Sequence, residues 1–147
     1  MEGVPIIDKV GMINTGLIRA SGFAIKIRKV AFAQLSKILD AQEIVRATAQ
    51  INQVLFVILR SLGVEKKDVV RIILPYRVSE GKIQWIPEKV EIEFYKAQEV
   101  DIEKVRKEIA ETLELPREEI SRRVEEAMKG TEWESDKSLK GRSPIEF

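Results

Sequence analysis

Between Lys9 and Leu39 the chain carries Lys9, Arg19, Lys26, Arg28, Lys29 and Lys37 but neither Asp nor Glu. Side chains of this type bind phosphate, and a run that meets no acid keeps a local positive field. It does so although the whole chain is nearly neutral, with 25 Lys and Arg against 24 Asp and Glu. A second set mixes cations with aromatics: Arg71, Tyr76, Arg77, Lys82, Trp85, Lys89, Tyr95 and Lys96 follow closely on one another. That pairing suits a single-stranded polynucleotide, in which every base offers a face to stack and every phosphate a charge to neutralise. Stacking is worth about 1–3 kcal/mol per base, more than an exposed ion pair. The plain alternatives are a solvated helix face for the lysines and core positions for the aromatics.

Acid chemistry is a weaker reading. Glu88, Glu91 and Glu93 resemble a fragment of a magnesium-dependent nuclease site. Such a site usually wants a Lys two residues after its acid, and here another Glu occupies that place; alternating Glu on an exposed strand face explains the pattern better. The glycines near residues 11–22 lack the spacing of a phosphate-binding loop or a dinucleotide fingerprint. The absence of Cys and His removes thiol chemistry, disulfides, Cys/His zinc sites and imidazole catalysis. We expect no catalysis, no metal and no cofactor.

At 147 residues and 44% hydrophobic content the chain can bury a genuine core. It contains no apolar run of membrane-spanning length and no secretory leader pattern, so we expect a cytoplasmic protein without a membrane partner. High charge content, no Cys and only Asn14 and Asn52 as asparagines fit a thermophilic protein.

The elements that must hold these residues follow from periodicity. Residues 1–12 read as a loop or edge segment. Helical spacing begins after Asn14 and Thr15, either of which could cap a helix, and is firm from Phe23 to Leu39. On that helix Arg19, Lys26, Lys29 and Lys37 share a narrow outer stripe, while Arg28 turns toward the apolar side and needs a partner or an opening. Asp40 and Glu43 open a second helix that runs to Leu62 and stops at Gly63, giving a helical hairpin. From Val69 the period becomes two. Ser79-Glu80-Gly81-Lys82 is a turn, and Pro87 separates the returning strand from either a bulged continuation or a third strand at Val90–Tyr95. By parity Tyr76 joins the apolar face, which leaves Arg77 and Trp85 as the stronger ligand candidates and Tyr95 as intermediate.

Asp101 can cap a third helix through Leu113, and a fourth runs from Arg117 to Lys129. Their apolar seams are thin, so they must dock on the body or on another subunit. The tail from Thr131 is polar, with Trp133, Leu139, Ile145 and Phe147 as anchors. The expected class is α+β, an N-terminal helical hairpin packed on a small antiparallel sheet and followed by a C-terminal helical pair. The expected divisions are a nucleic-acid-binding domain (1–98), a helical oligomerisation segment (99–130) and a flexible tail (131–147).

The stretch Thr15-Gly16-Leu17-Ile18-Arg19-Ala20-Ser21-Gly22-Phe23-Ala24, with Lys26-Ile27-Arg28-Lys29-Val30 and Phe32-Ala33-Gln34-Leu35, resembles an archaeal family related to the ThermoDBP single-stranded DNA-binding proteins. The resemblance implies a binder of single-stranded DNA or RNA without an OB fold, with nucleotides in an apolar cleft fringed by basic residues. It also implies a homo-oligomer, dimer or tetramer, held by the C-terminal helices. Arg19, Lys26, Arg28 and Lys29 carry over as members of the basic fringe; Arg71, Arg77, Trp85 and Tyr95 are candidates from the residues themselves. The short seams of the last two helices depart from a sustained Leu heptad, which leaves the oligomer's geometry open. The rival reading is a protein-interaction or assembly module with no nucleic-acid ligand.

Overall fold

The chain's computed structural model describes residues 8–139. It divides into two compact units, one ending at Gln98 and one beginning at Glu99. Among the described residues are four α-helices and a five-stranded antiparallel sheet, so the α+β class holds. The order of elements differs from expectation in one respect: strands precede the helical hairpin. The first unit runs β1 (Lys9–Asn14), β2 (Ile18–Arg19), α1 (Phe23–Leu35), α2 (Ala41–Ser61), β3 (Val69–Ser79), β4 (Lys82–Trp85) and β5 (Glu91–Tyr95).

β3 is the axis of the sheet, and every other strand pairs with it. β1 and β2 lie along one of its edges, β4 and β5 along the other. Each flank is therefore a single path broken once. On the first flank, Asn14 faces Ile73 but Ile18 faces Val70, so the flank carries one residue more than β3 does. That residue makes a bulge. Gly16 sits at φ 65 and its N–H donates to Asn14 Oδ1 at 2.9 Å, while Thr15 Oγ1 accepts from the Ile72 N–H at 2.9 Å and donates to the Gly16 carbonyl at 2.8 Å. Asn14 and Thr15 thus shape a bulge rather than cap a helix, and α1 starts at Phe23 after a short 3-10 turn, Ala20–Gly22.

The other flank is broken by a 3-10 turn at Pro87–Lys89. The break explains how Pro75 sits in the central strand. Its carbonyl accepts from Ile86 at 3.0 Å, so its missing N–H also points to this flank, where the ladder is already ending.

α1 and α2 cover one sheet face. Val70, Ile72, Leu74, Tyr76 and Val78 alternate inward along β3 and meet Ile27, Ala31, Leu35, Ile44, Ala47, Leu55 and Leu59. Each Val, Leu or Ile among them contributes about 1.5–3 kcal/mol by leaving water. Tyr76 is fully buried, and its hydroxyl donates to Gln34 Oε1 at 2.7 Å. The phenol crosses β1 at Gly11, where a Cβ would stand 2.4 Å from the hydroxyl oxygen. β1 escaped the sequence reading because this glycine interrupts its inward row.

Two buried carboxylates tie the layers. Glu43 accepts both Arg46 nitrogens at 2.7 Å and the Ile83 N–H at 2.8 Å, joining the start of α2 to β4. Asp40 caps α2 through the Gln42 N–H, and Glu43 takes no part in the cap. Asp68 accepts from the N–H groups of Glu65 (2.8 Å) and Ala97 (3.1 Å) and from Lys96 Nζ (2.9 Å), fixing the end of β5 to the loop after α2. The Arg46 bond first, helped by Ile83, holds Glu43 at about 2 against the cost of burial. The Glu65 N–H and then Lys96 hold Asp68 at about 2.

The second unit contains α3 (Ile102–Leu113), capped by Asp101 on the Lys104 N–H at 3.2 Å, and α4 (Arg117–Met128). Ile102, Ile109 and Leu113 are exposed along α3. Trp133 and Leu139 are exposed as well, and the expected anchors Ile145 and Phe147 lie outside the described residues. No helix among the described residues is long and apolar enough to cross a membrane.

Candidate nucleic-acid interface

The basic and aromatic candidates do not gather in one place. The sheet divides them, because α1 and α2 occupy one face and leave the other open.

Lys26, Arg28 and Lys29 are exposed on α1, in the helical layer. Arg28 has the opening that its position on the helix demanded. Arg71 and Arg77 have the opposite parity to Tyr76 on β3 and lie on the open sheet face. Arg19 faces Val69 and Tyr95 faces the same residue from the other flank, so both join that face. Arg71 is ion-paired with Glu93, and the Tyr95 hydroxyl donates to Glu93 Oε2 at 3.0 Å. That bond, with the charge of Glu93, pushes the Tyr95 phenol above its ordinary value.

Trp85 is a correction. It pairs with Tyr76 across the ladder, so the two share the helix-facing side, and their rings meet edge to face with centroids 6.3 Å apart. The turn could have revealed this: Glu80 (φ 54) and Gly81 (φ 74) make a two-residue loop that opposes Ser79 to Lys82, which puts Trp85 opposite Tyr76. The Trp85 indole N–H is buried and has no acceptor.

A groove that sequence reasoning missed lies in the helical layer. It encloses about 370 Å³ and is lined by Ala20, Ser21 and Phe23, by Phe56, Leu59 and Arg60 of α2, and by Val64, Glu65 and Lys66 of the following loop. Its walls are fixed by backbone bonds: the Ala20 N–H to the Asp68 carbonyl at 2.8 Å, and the Ser21 N–H to the Lys66 carbonyl at 3.2 Å. Phe56 is 57% exposed, a large apolar surface left to solvent. Arg60 is held by a 2.9 Å bond to the Val64 carbonyl. Arg19 donates to the carbonyl of Lys67, beside the rim, and Lys26 follows Phe23 by three residues, about one helical turn. The lining comes from three distant segments, which hides it from any local pattern. The available signal was the charge-free run Ala47–Leu59, which holds more apolar residues than one buried helix face requires.

Among the described residues no group of three or more acids converges to hold a metal. Glu91 and Glu93 lie on the open face opposite Ile73 and Arg71, and Glu88 belongs to the 3-10 turn.

Comparison with known proteins places this arrangement. The family model described as ThermoDBP-related, archaea, matches residues 13–84. The crystal structure of pfuThermo-DBP-RP1 (crystal form II) superposes with a TM-score of 0.59 at 34% identity, over 80% of this chain and 84% of that one. The crystal structure of apeThermo-DBP-RP2 bound to ssDNA dT10 superposes with a TM-score of 0.64 at 31% identity, over 71% of this chain and 51% of that one. This chain therefore spans about half the length of the DNA-bound relative. A search among curated proteins found no match.

Proposed function

The chain belongs to the archaeal ThermoDBP-related family, and from that premise we propose that it binds single-stranded DNA without strong sequence preference, the bases entering the groove beside Phe23 and Phe56. The observation that carries the reading is an apolar groove, rimmed by Arg60 and Lys66, in a relative of a protein whose structure holds dT10. Phe23 and Phe56 supply stacking or edge contacts. Arg60, Lys66, Arg19 and Lys26 supply phosphate contacts, with Arg28 and Lys29 extending the field along α1. RNA enters the same groove if its 2′-hydroxyl meets no obstacle. The protein acts by holding the strand and performs no chemistry on it.

Oligomerisation belongs to the same reading. On α3 Ile102, Val105, Ile109 and Leu113 follow a three-four-four spacing, and a groove of about 390 Å³ runs past Val105, Ile109 and Leu113 to Ile120 of α4. Such a seam suits a homo-oligomer held by the C-terminal helices.

Fluorescence anisotropy with labelled dT10, its RNA counterpart and a duplex of equal length tests the proposal. Single strands should bind, duplex should bind much more weakly, and log affinity should fall against log salt with a slope of about −0.7 per neutralised phosphate. Equal binding of duplex, or affinity indifferent to salt, would overturn it. The probe should be recovered intact with magnesium present; cleavage abolished by a chelator would favour the nuclease reading instead.

A further inference from the structure

The open face of the sheet carries more arginine than a solvated face needs. Its rows can be read across the strands. At one end Arg19, Val69 and Tyr95 stand side by side. Next come Arg71 and Glu93, then Asn14, Ile73 and Glu91, then Met12 and Pro75. At the far end Val10, Arg77 and Gln84 complete the face. Val10 is 69% exposed, Met12 49% and Tyr95 53%. The Arg71 and Arg77 rows thus bracket Met12, Ile73 and Pro75, flanked by Asn14 and Glu91, and six steps along the strand separate the two arginines, about 20 Å at 3.3 Å per residue.

The two arginines differ. Arg77 is exposed and has no acidic partner among the described residues. Arg71 is held by Glu93, which also takes the Tyr95 hydroxyl. The acid therefore occupies the cation and the aromatic together.

Resting on the reading above, we propose that this face is a second contact surface for the same polynucleotide, on the opposite side of the sheet from the groove, and that Glu93 is the latch a phosphate displaces. Charge argues for a polyanion: Arg19, Arg71 and Arg77 stand along the face, and of its acids Glu93 is already engaged by Arg71, while Lys82 turns away to Glu43 at 3.7 Å. Continuity argues for the same strand. Arg19 belongs to the face, while the two residues after it, Ala20 and Ser21, line the groove, and its guanidinium rests on the loop that carries Lys66. A strand leaving the groove would meet Arg19 first, then Arg71 and Tyr95. Met12, Ile73 and Pro75 offer apolar surface to bases or sugars on the way to Arg77. Once a phosphate takes Arg71, the Tyr95 ring is free to turn under a base.

Length dependence separates the two surfaces. Anisotropy would be run with oligo-dT of four, ten and thirty nucleotides on the full chain, on Phe56→Ala, on Arg71→Ala/Arg77→Ala and on Glu93→Gln, each checked for folding by thermal melting. The double arginine variant should lose about tenfold in affinity for the longest probe and flatten its salt slope by about 1.4, two contacts at about 0.7 each, while binding the shortest as before. Glu93→Gln should bind the long probe several-fold more tightly, an effect that loss of a merely structural ion pair would not give. If Arg71→Ala fails to fold, Arg77→Ala alone should show half the change in slope. Long-probe affinity and slope unchanged in the arginine variants would overturn the second surface and leave the groove standing. Loss in the arginine variants with none in Phe56→Ala would do the reverse.

Discussion

The two faces of the sheet are made from the same five strands and obey opposite rules. On the covered face each residue is chosen by what it touches: Tyr76 needs Gly11 beneath it and Gln34 beyond it, and Ile83 needs Glu43 to take its N–H. On the open face neighbours are chosen by charge and leave apolar atoms in water. The difference teaches where function can be sought. A side chain whose every atom is accounted for by packing is poorly placed to bind anything else, whereas Arg77 and Phe56 have surface that the fold does not use.

Adjacent residues give the sharpest way to break that contrast. Gly11 and Val10 are neighbours in β1 that face opposite ways. Gly11→Leu must expel or tilt the buried Tyr76 phenol, and should cost about 3 kcal/mol or more by overpacking, with a fall in Tm above about 10 °C. Val10→Thr should change stability by less than about 0.5 kcal/mol. Urea titration of the two variants checks both, and similar losses would mean that the faces are not as unlike as their neighbours suggest.

Binding should show the opposite ranking. Phe56→Ala removes a side chain that the core does not need, so melting should be nearly unchanged while affinity for dT10 falls about five- to a hundredfold, the range for one lost base contact. A variant that melts early and binds normally would assign Phe56 to the fold and remove it from the site.

Acid should act on the covered side through two carboxylates. Glu43 and Asp68 are each held at about 2, below the ordinary carboxylate range. A depressed value means that the stabilisation is complete above the unfolded value near 4 and is lost as pH falls toward 2. Thermal melts between pH 5 and pH 2 should therefore drop steeply below about pH 4. Glu43→Gln and Asp68→Asn should start lower and drop less.

Much of this division was legible in the sequence, and the failures have physical causes. The period-two pattern from Val69 named the inward row of β3 correctly, because one buried face forces strict alternation. The ends of α2, α3 and α4 followed from Asp40, Gly63, Asp101, Pro116 and Gly130. β1 was missed because an edge strand with a glycine in its inward row presents few apolar residues. The groove was missed because its lining is assembled from residues remote in sequence. The cations were found, but strand and helix periodicity cannot say which layer lies over which, so nothing in the sequence told that Lys26 and Arg77 lie on opposite sides of the sheet.

Trp85 carries the smallest and most discriminating prediction. Its ring contributes to the covered face through Tyr76, yet its indole N–H is buried without an acceptor, a defect that packing alone would not select. Trp85→Phe keeps an aromatic against Tyr76 and removes the orphaned donor. Stability should then change by less than about 1 kcal/mol, because the lost packing is offset by relief of an unpaired polar group. Affinity for dT10 should stay within about twofold, since a residue on the covered face has no stacking surface whose loss would cost the 1–3 kcal/mol of a base contact. A large loss of affinity with unchanged melting would mean that the covered face opens to admit the strand at Trp85, and that the orphaned N–H is kept for a ligand acceptor.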